Sequence, residues 1–215
     1  LVLGYAEMLW SGELGSVPPE QQAAVGVIAR RSRMLSRLVE DIALLWHLER
    51  RTAQKEVVDL REIVTITVAD FQARAVEHGL ALSARMPKEV VMIPVVPLQI
   101  RRLLDNLIGN SLKFTLPGGS LDVSLQVIDG WAEMAVADTG IGVPTEKLQR
   151  IFERFYQVNG SPRRKYGGTG LGLALVKAIV EMHGGSIHAE SPITDDPARP
   201  GTRIAIRLPL SGALG

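Results

Sequence analysis

Three residues of one predicted helix carry groups able to work on a phosphate. Asn106, Asn110 and Lys113 fall at i, i+4 and i+7, so on a helix over 98–114 they share a face. Ile100, Leu103, Leu104, Leu107 and Ile108 occupy the opposite arc. Such a helix buries one side and presents two amides and an ammonium on the other. Amide oxygens are hard, neutral ligands suited to Mg²⁺, and lysine is a point charge for phosphate. On this segment alone, a plain solvated helix face accounts for the same pattern.

Two glycine-bearing segments could receive the rest of a ligand. Asp138-Thr139-Gly140-Ile141-Gly142 follows a strand-like run. A carboxylate at a strand end can accept from an exocyclic amine, and the glycines let backbone approach a flat ligand closely. Alone, this is a turn as often as a site. Gly167-Gly168-Thr169-Gly170-Leu171-Gly172-Leu173 opens a helix. Glycines there are costly in backbone entropy unless close approach is needed, and a helix N-terminus offers N–H groups to phosphates. The segment is neither a P-loop nor a dinucleotide fingerprint. Between the two lies a polar, basic stretch, 156–166, with Arg163, Arg164 and Lys165. It reads as a lid over a phosphate site or as an ordinary solvated loop. The aromatics Phe152 and Phe155, three apart, are expected to anchor the base of that lid in apolar core.

These residues need elements to hold them. Residues 1–51 have a helical period broken at 11–19, where Gly12, Gly15, Pro18 and Pro19 suit a helix–loop–helix turn. The second helix, from Pro19 to about Arg51, carries Ala24, Ile28, Leu35, Leu38, Ile42 and Leu45. The last four alternate steps of three and four, the seam of a bundle, with Arg31 interrupting it. One hairpin cannot bury that seam, so a symmetric dimer forming a four-helix bundle is expected. From 52 the pattern becomes mixed. Asp59 and Glu62 are spaced as a capping box for a helix to about His78. Strands are predicted at 80–85, 90–94, 121–128, 132–137, 186–191 and 202–208, and further helices at 98–114, 147–155 and 170–183, with Gly184 as a stop. The fold class is α+β: a helical hairpin over 1–51, half of a dimeric four-helix bundle, then an α/β sandwich over 52–215 whose mixed sheet is covered by helices on one face.

Composition narrows the function classes. Lys plus Arg number 24 against 23 Asp plus Glu, a net charge of +1. That balance argues against a nucleic-acid partner held by bulk positive charge. The absence of cysteine excludes disulfide scaffolds, thiolate metal sites and cysteine nucleophiles. No apolar run approaches the ~20 residues that span a bilayer. Leu1 falls in mid-pattern, as in a fragment of a longer protein.

In this order the segments resemble the asparagine box (106–115), first glycine box (138–142), phenylalanine box (152–155) and second glycine box (168–172) of sensor histidine kinases. Those kinases share the GHKL-type ATP-binding fold with gyrase, heat-shock chaperone and mismatch-repair ATPases. Gly4-Tyr5-Ala6-Glu7-Met8-Leu9 resembles the stretch after a phosphoacceptor histidine, and 41–49 resembles the end of the second dimerisation helix. The resemblance covers about 4–208. It implies ATP and Mg²⁺ as cofactors. Asp138 would bind the adenine amino group, with Gly140, Gly142 and Thr202 beside the base. Asn110 would hold the metal, with Asn106 and Lys113 near the phosphates. Gly168, Thr169, Gly170, Leu171 and Gly172 would line the triphosphate. Many relatives carry an arginine where this chain has Gln157, which leaves phosphate contact to Arg154 or to a lid cation such as Arg164 or Lys165.

The resemblance also separates branches of the family. ATP-hydrolysing members such as gyrase have a glutamate one turn before the metal-binding asparagine, to activate water. Here that position is Asn106, which has no useful basicity. A site without its own base suits handing the γ-phosphoryl to an external nucleophile. The implied function is a kinase core that phosphorylates a histidine lying before Leu1, for relay to an aspartate of a response-regulator receiver domain. None of His47, His78, His183 and His188 lies on the first helix, and ordinary roles are expected for them. A non-catalytic nucleotide-sensing dimerisation module, or a gyrase-type ATPase, are the alternatives. The location implied is cytoplasmic, including the cytoplasmic part of a membrane-bound sensor.

Overall fold

A computed structural model of the chain describes residues 1–49, 54–158 and 169–210. The chain forms two compact units, Leu1–Trp46 and His47–Gly215.

The first unit is an antiparallel pair of helices. Helix α1 (Val2–Ser11) stops at Gly12, whose φ of 81° is left-handed. Helix α2 (Pro19–Glu49) begins on proline, tolerated in a first turn, with Glu20 beside it. The two helices meet through small residues. Ala6 and Ala29 are buried, and the Trp10 ring lies against Gly26, where a Cβ would come within 2.5 Å of it. Arg33 and Glu7 pair across the surface at 2.8 Å. Of the expected seam, Leu35 and Ile42 are exposed in the single chain, Leu35 at 63%, Leu38 is half-buried, and the Leu45 side chain lies outside the described residues; Ile28 is exposed too. Ala24 is exposed as well.

The second unit is a sandwich of helices on a mixed sheet. Its five strands run in the order β2 (Ala81–Arg85), β4 (Ser120–Ile128), β5 (Trp131–Asp138), β7 (Thr202–Pro209), β6 (Ser186–Glu190). Only β2 and β4 are parallel. The strand register aligns two apolar rows across one face of the sheet. Val123 pairs with Val136, and Val136 with Ile204; Leu125 pairs with Met134, and Met134 with Ile206. All six are buried. Helices α3 (Leu60–Glu77), α4 (Pro97–Phe114) and α5 (Gly172–Met182) cover that face, with α4 touching both of the others. Leu103, Leu104, Leu107 and Ile108 of α4 and Leu175, Val176, Ile179 and Val180 of α5 are buried, as the helical period requires. The other face of the central strand is closed by charge. Glu133 accepts from Arg207 Nε at 2.8 Å, Arg203 at 2.9 Å and Gln126 at 3.1 Å.

Three expectations change. Residues 147–155 form two short 3₁₀ turns, Thr145–Lys147 and Arg150–Phe152, rather than an α-helix. Phe155 takes a left-handed φ of 63°, and its N–H donates to Gly170 O instead of to a carbonyl one turn back. Helix α5 starts at Gly172 rather than 170, because Gly170 is itself left-handed at 71°. A short strand β1 (Glu56–Asp59), absent from the sequence reading, pairs antiparallel with β3 (Met92–Val95) as a separate ribbon. Asp59 caps α3 by accepting from Arg61 N at 3.1 Å.

Candidate functional site

Helix α4 is the spine of the site. Asn106, Asn110 and Lys113 lie along it, each half-buried. The Asn106 side-chain N–H donates back to Arg102 O at 2.8 Å. This turns its Oδ1 toward the start of α5, where a Cβ on Gly172 would come within 2.7 Å of it. A glycine is therefore needed where α5 begins. Lys113 Nζ sits over the Phe114 ring, 4.6 Å from its centroid. Burial pushes the Lys113 ammonium below its usual range, a cost that an incoming anion would offset.

The far end of α4 meets the end of β5. Asp138 is 8% exposed, and three donors hold its carboxylate. Ser111 Oγ donates to Oδ2 at 2.8 Å and Gly140 N–H to Oδ1 at 3.0 Å. The Thr202 backbone N–H donates as well, Thr202 being the register partner of Asp138 on β7. Burial raises the Asp138 pKa above the ordinary value, although each donor acts to lower it. A carboxylate has about four acceptor positions, so one can still take a ligand N–H. Gly140 is pressed between this carboxylate and the end of α4: a Cβ there would lie 2.6 Å from Phe114 O. The turn is clamped by Ile141 N–H to Phe114 O at 3.2 Å and Gly201 N–H to Gly140 O at 3.0 Å. Gly142 closes it against Pro200 and Ser191.

The second glycine segment arrives at the middle of α4, beside Asn106. Gly170 lies against the Phe155 backbone, and Phe155 N–H donates to Gly170 O at 2.9 Å. Leu171 is buried, and its N–H donates to Thr169 Oγ1 at 3.3 Å. The first turn of α5 then presents N–H groups that have no intrahelical acceptor. Phe155 does not anchor in core as expected: it is 65% exposed and is tied down through its backbone. Arg154 is exposed beside it, and Arg150 stacks 4.4 Å from the Tyr156 ring centroid. A cavity of about 490 Å³ lies here, lined by Lys147, Arg150, Phe155, Tyr156 and Gln157. Arg164, Lys165 and Gly168, and most of the expected lid, lie outside the described residues.

The order along α4 defines the site. Asn106 touches Gly172, Asn110 comes one turn later, Ser111 holds Asp138, and Phe114 meets Gly140. From Asn106 to Phe114 the helix rises about 12 Å. One end offers a buried carboxylate beside close backbone, suited to a flat base with an N–H. The other offers the Asn106 amide and a helix N-terminus, suited to phosphates, with Asn110 and Lys113 on the same face between the two ends. Ser111 is the residue that sequence reasoning missed. It falls in line with Leu104, Leu107 and Ile108, so a hydroxyl on the apolar arc was the available signal.

A family model described as histidine kinase-, DNA gyrase B-, and HSP90-like ATPase matches residues 95–212. Sensor histidine kinase RppB of Synechocystis sp. is 34% identical over 194 residues, covering 89% of this chain and 42% of its own length. Full-length ShkA in complex with AMPPNP superposes with a TM-score of 0.76 at 27% identity, covering 97% of this chain and 42% of that one. The mycobacterial sensor histidine kinase MprB gives a TM-score of 0.65 at 29% identity, covering 72% of this chain and 98% of that one. The chain spans less than half the length of the curated relatives it matches.

Proposed function

We infer the function from one premise: the chain belongs to the histidine kinase-, DNA gyrase B- and HSP90-like ATPase family, and its domain is that of a sensor histidine kinase. Its activity is to bind ATP and present the γ-phosphoryl to a histidine nucleophile. The observation that carries this reading is the span of α4, with the buried Asp138 carboxylate at one end and the start of α5 against Asn106 at the other.

Asp138 accepts from the adenine amino group, held in place by Ser111, Gly140 and Thr202. Gly142 and the Gly201–Thr202 turn flank the base. Gly168, Thr169, Gly170, Leu171 and Gly172 line the phosphates, joined by Arg164 and Lys165 of the lid. Lys113 and Arg154 add positive charge. Asn110 is the metal ligand. Among the described residues, no group of three or more His, Cys, Asp or Glu side chains could hold a metal. A single neutral amide oxygen still fits Mg²⁺, which binds at nucleotide sites with phosphate oxygens and water completing its shell. The ion would neutralise phosphate charge there.

In the transfer step an imidazole nitrogen forms a bond to the γ-phosphorus as the bond to the β–γ bridging oxygen breaks, releasing ADP. This chain's residues position and neutralise, and Asn106 supplies no base for water. Asn106, with its amide committed to Arg102 O, disfavours a gyrase-type hydrolase.

The division into a dimerisation hairpin, 1–51, and an ATP-binding domain, 52–215, is supported by the two compact units. The exposed Ile28, Leu35 and Ile42 support a homodimer through α2. From the histidine nucleophile the phosphoryl passes on to a response-regulator receiver aspartate. Among the described residues, no helix is long and apolar enough to cross a membrane. We place the domain in the cytoplasm, where its ATP is supplied, with no nucleic-acid partner.

Calorimetric titration with AMPPNP, with and without Mg²⁺, tests the reading. Saturable binding strengthened by the metal is expected; no heat with any purine triphosphate would overturn it.

A further inference from the structure

His183 follows the last turn of α5 and is 3% exposed. Its Nδ1 lies 2.8 Å from Ile179 O and its Nε2 3.0 Å from Val96 N. A carbonyl can only accept, so Nδ1 carries the proton. A backbone N–H can only donate, so Nε2 is bare. The partners thus dictate one neutral tautomer, and burial favours the neutral ring. Val96 is the residue that begins α4, and no side chain of its own caps that helix. The imidazole therefore joins the end of α5 to the beginning of α4.

The same two helices meet again at Gly172 and Asn106. Val96 to Asn106 on α4 and Gly172 to His183 on α5 run antiparallel over nearly equal lengths, about 15 Å each. Aliphatic side chains are buried between these ends, Ile100 and Leu103 on one helix and Val176 and Ile179 on the other, and the buried amide of Gln99 lies in the same span of α4. Apolar burial is non-directional, and interdigitated side chains hold the two helices together along their length. The hydrogen bond from Val96 to His183 adds a directional restraint on their register.

We propose that His183 is a positioning residue for the nucleotide site. By fixing α5 along α4, it sets where the glycine-bearing start of α5 stands over Asn106 and Asn110. The inference rests on the nucleotide-site reading above and adds a residue remote from the ligand.

Two variants of the full chain separate positioning from mere stability. His183→Gln can place a carboxamide oxygen near the Nε2 position and still accept from Val96. His183→Asn is shorter and keeps only the donor toward Ile179. AMPPNP affinity in Mg²⁺ is measured by calorimetry at about pH 7.5, where imidazole is neutral. Well below the melting transition, a loss of stability alone leaves affinity unchanged, because nearly all molecules are folded. We expect His183→Gln within about threefold of the parent and His183→Asn weaker by about tenfold, the scale of one hydrogen bond. Equal affinities for parent and both variants would overturn the inference. A measurement without variants guards against misfolding. Coupling is reciprocal, so saturation with AMPPNP must slow hydrogen exchange of the Val96 amide, by about three- to tenfold. Unchanged exchange would overturn the proposal while leaving the binding site intact. A parent chain that binds no nucleotide would overturn the site reading itself, and this inference with it.

Discussion

Ser111 Oγ donates to Asp138 Oδ2 at 2.8 Å, tying α4 to the end of β5 through a buried hydroxyl. Ser111 directly follows Asn110, so the group proposed for the metal and the donor that orients the base acceptor share one turn of α4. Displacement of that turn would disturb both ends of the nucleotide together.

Asp138→Asn should abolish adenine-nucleotide binding with the fold retained. The amide is nearly isosteric but brings a donor to where the ligand's own N–H must be accepted. Ser111→Ala should act more mildly, lowering affinity about three- to tenfold, because the carboxylate keeps its backbone donors. Calorimetry with AMPPNP measures both, and circular dichroism checks the fold. Unchanged affinity in Asp138→Asn would remove this carboxylate from the site.

Asn110→Ala should weaken Mg-nucleotide much more than metal-free nucleotide. The side chain is half-buried on the polar edge of α4, so its truncation leaves no large apolar void. The ratio of affinities with Mg²⁺ and with EDTA should fall toward one. Equal losses under both conditions would contradict the ligand role.

Leu35→Asp combined with Ile42→Asp should yield monomers by light scattering. Both positions are exposed in the single chain, at 63% and 41%, so the hairpin loses little of its own packing. Helical content and AMPPNP affinity should persist. A dimer surviving these charges would mean that the seam faces something other than a second copy.

Glu133→Gln should flatten the acid side of the stability curve. Hydrogen bonding from Arg207, joined by Gln126 and Arg203, holds the Glu133 carboxyl below its ordinary 4.5. Between that value and the lower native one, the unfolded chain binds the proton and the native chain does not, so stability rises with pH. The contribution is complete above 4.5 and lost as pH falls through the native pKa. Glu133→Ala should cost about 1–3 kcal/mol at neutral pH, less than a fully buried pair. Arg203 and Arg207 are partly exposed and can rehydrate once released. Urea unfolding across the acid range measures both variants; an unchanged slope in Glu133→Gln would place the acid sensitivity elsewhere.

Local spacing made much of the molecule legible. The i, i+4, i+7 amide face and apolar arc of α4 follow from the helical period, and the alternating rows of β4 and β5 from the strand period. The two glycine segments stood out because glycine clusters are costly without close approach. At Gly140 and Gly172 the backbone is indeed met by Phe114 O and Asn106 Oδ1. Residues 147–155 misled because Leu148, Ile151, Phe152 and Phe155 imitate a helical stripe. The bond from Phe155 to Gly170, not local preference, decides that conformation. The ribbon of β1 with β3 escaped notice for a related reason: a strand as short as Glu56–Asp59 is defined by its partner.

Residue types and their periods determined by themselves that this chain would build an amide-bearing helix, a carboxylate at a strand end and glycine turns suited to phosphates. Which of these groups meet was decided by the tertiary structure. Ser111 finds Asp138 across 27 residues, and Val96 finds His183 across 87. The period of an element fixes which side chains share a face, but says nothing of how far one element slides along another. That register is set by packing and directional hydrogen bonds between segments distant in the chain, and it exists only once they have docked.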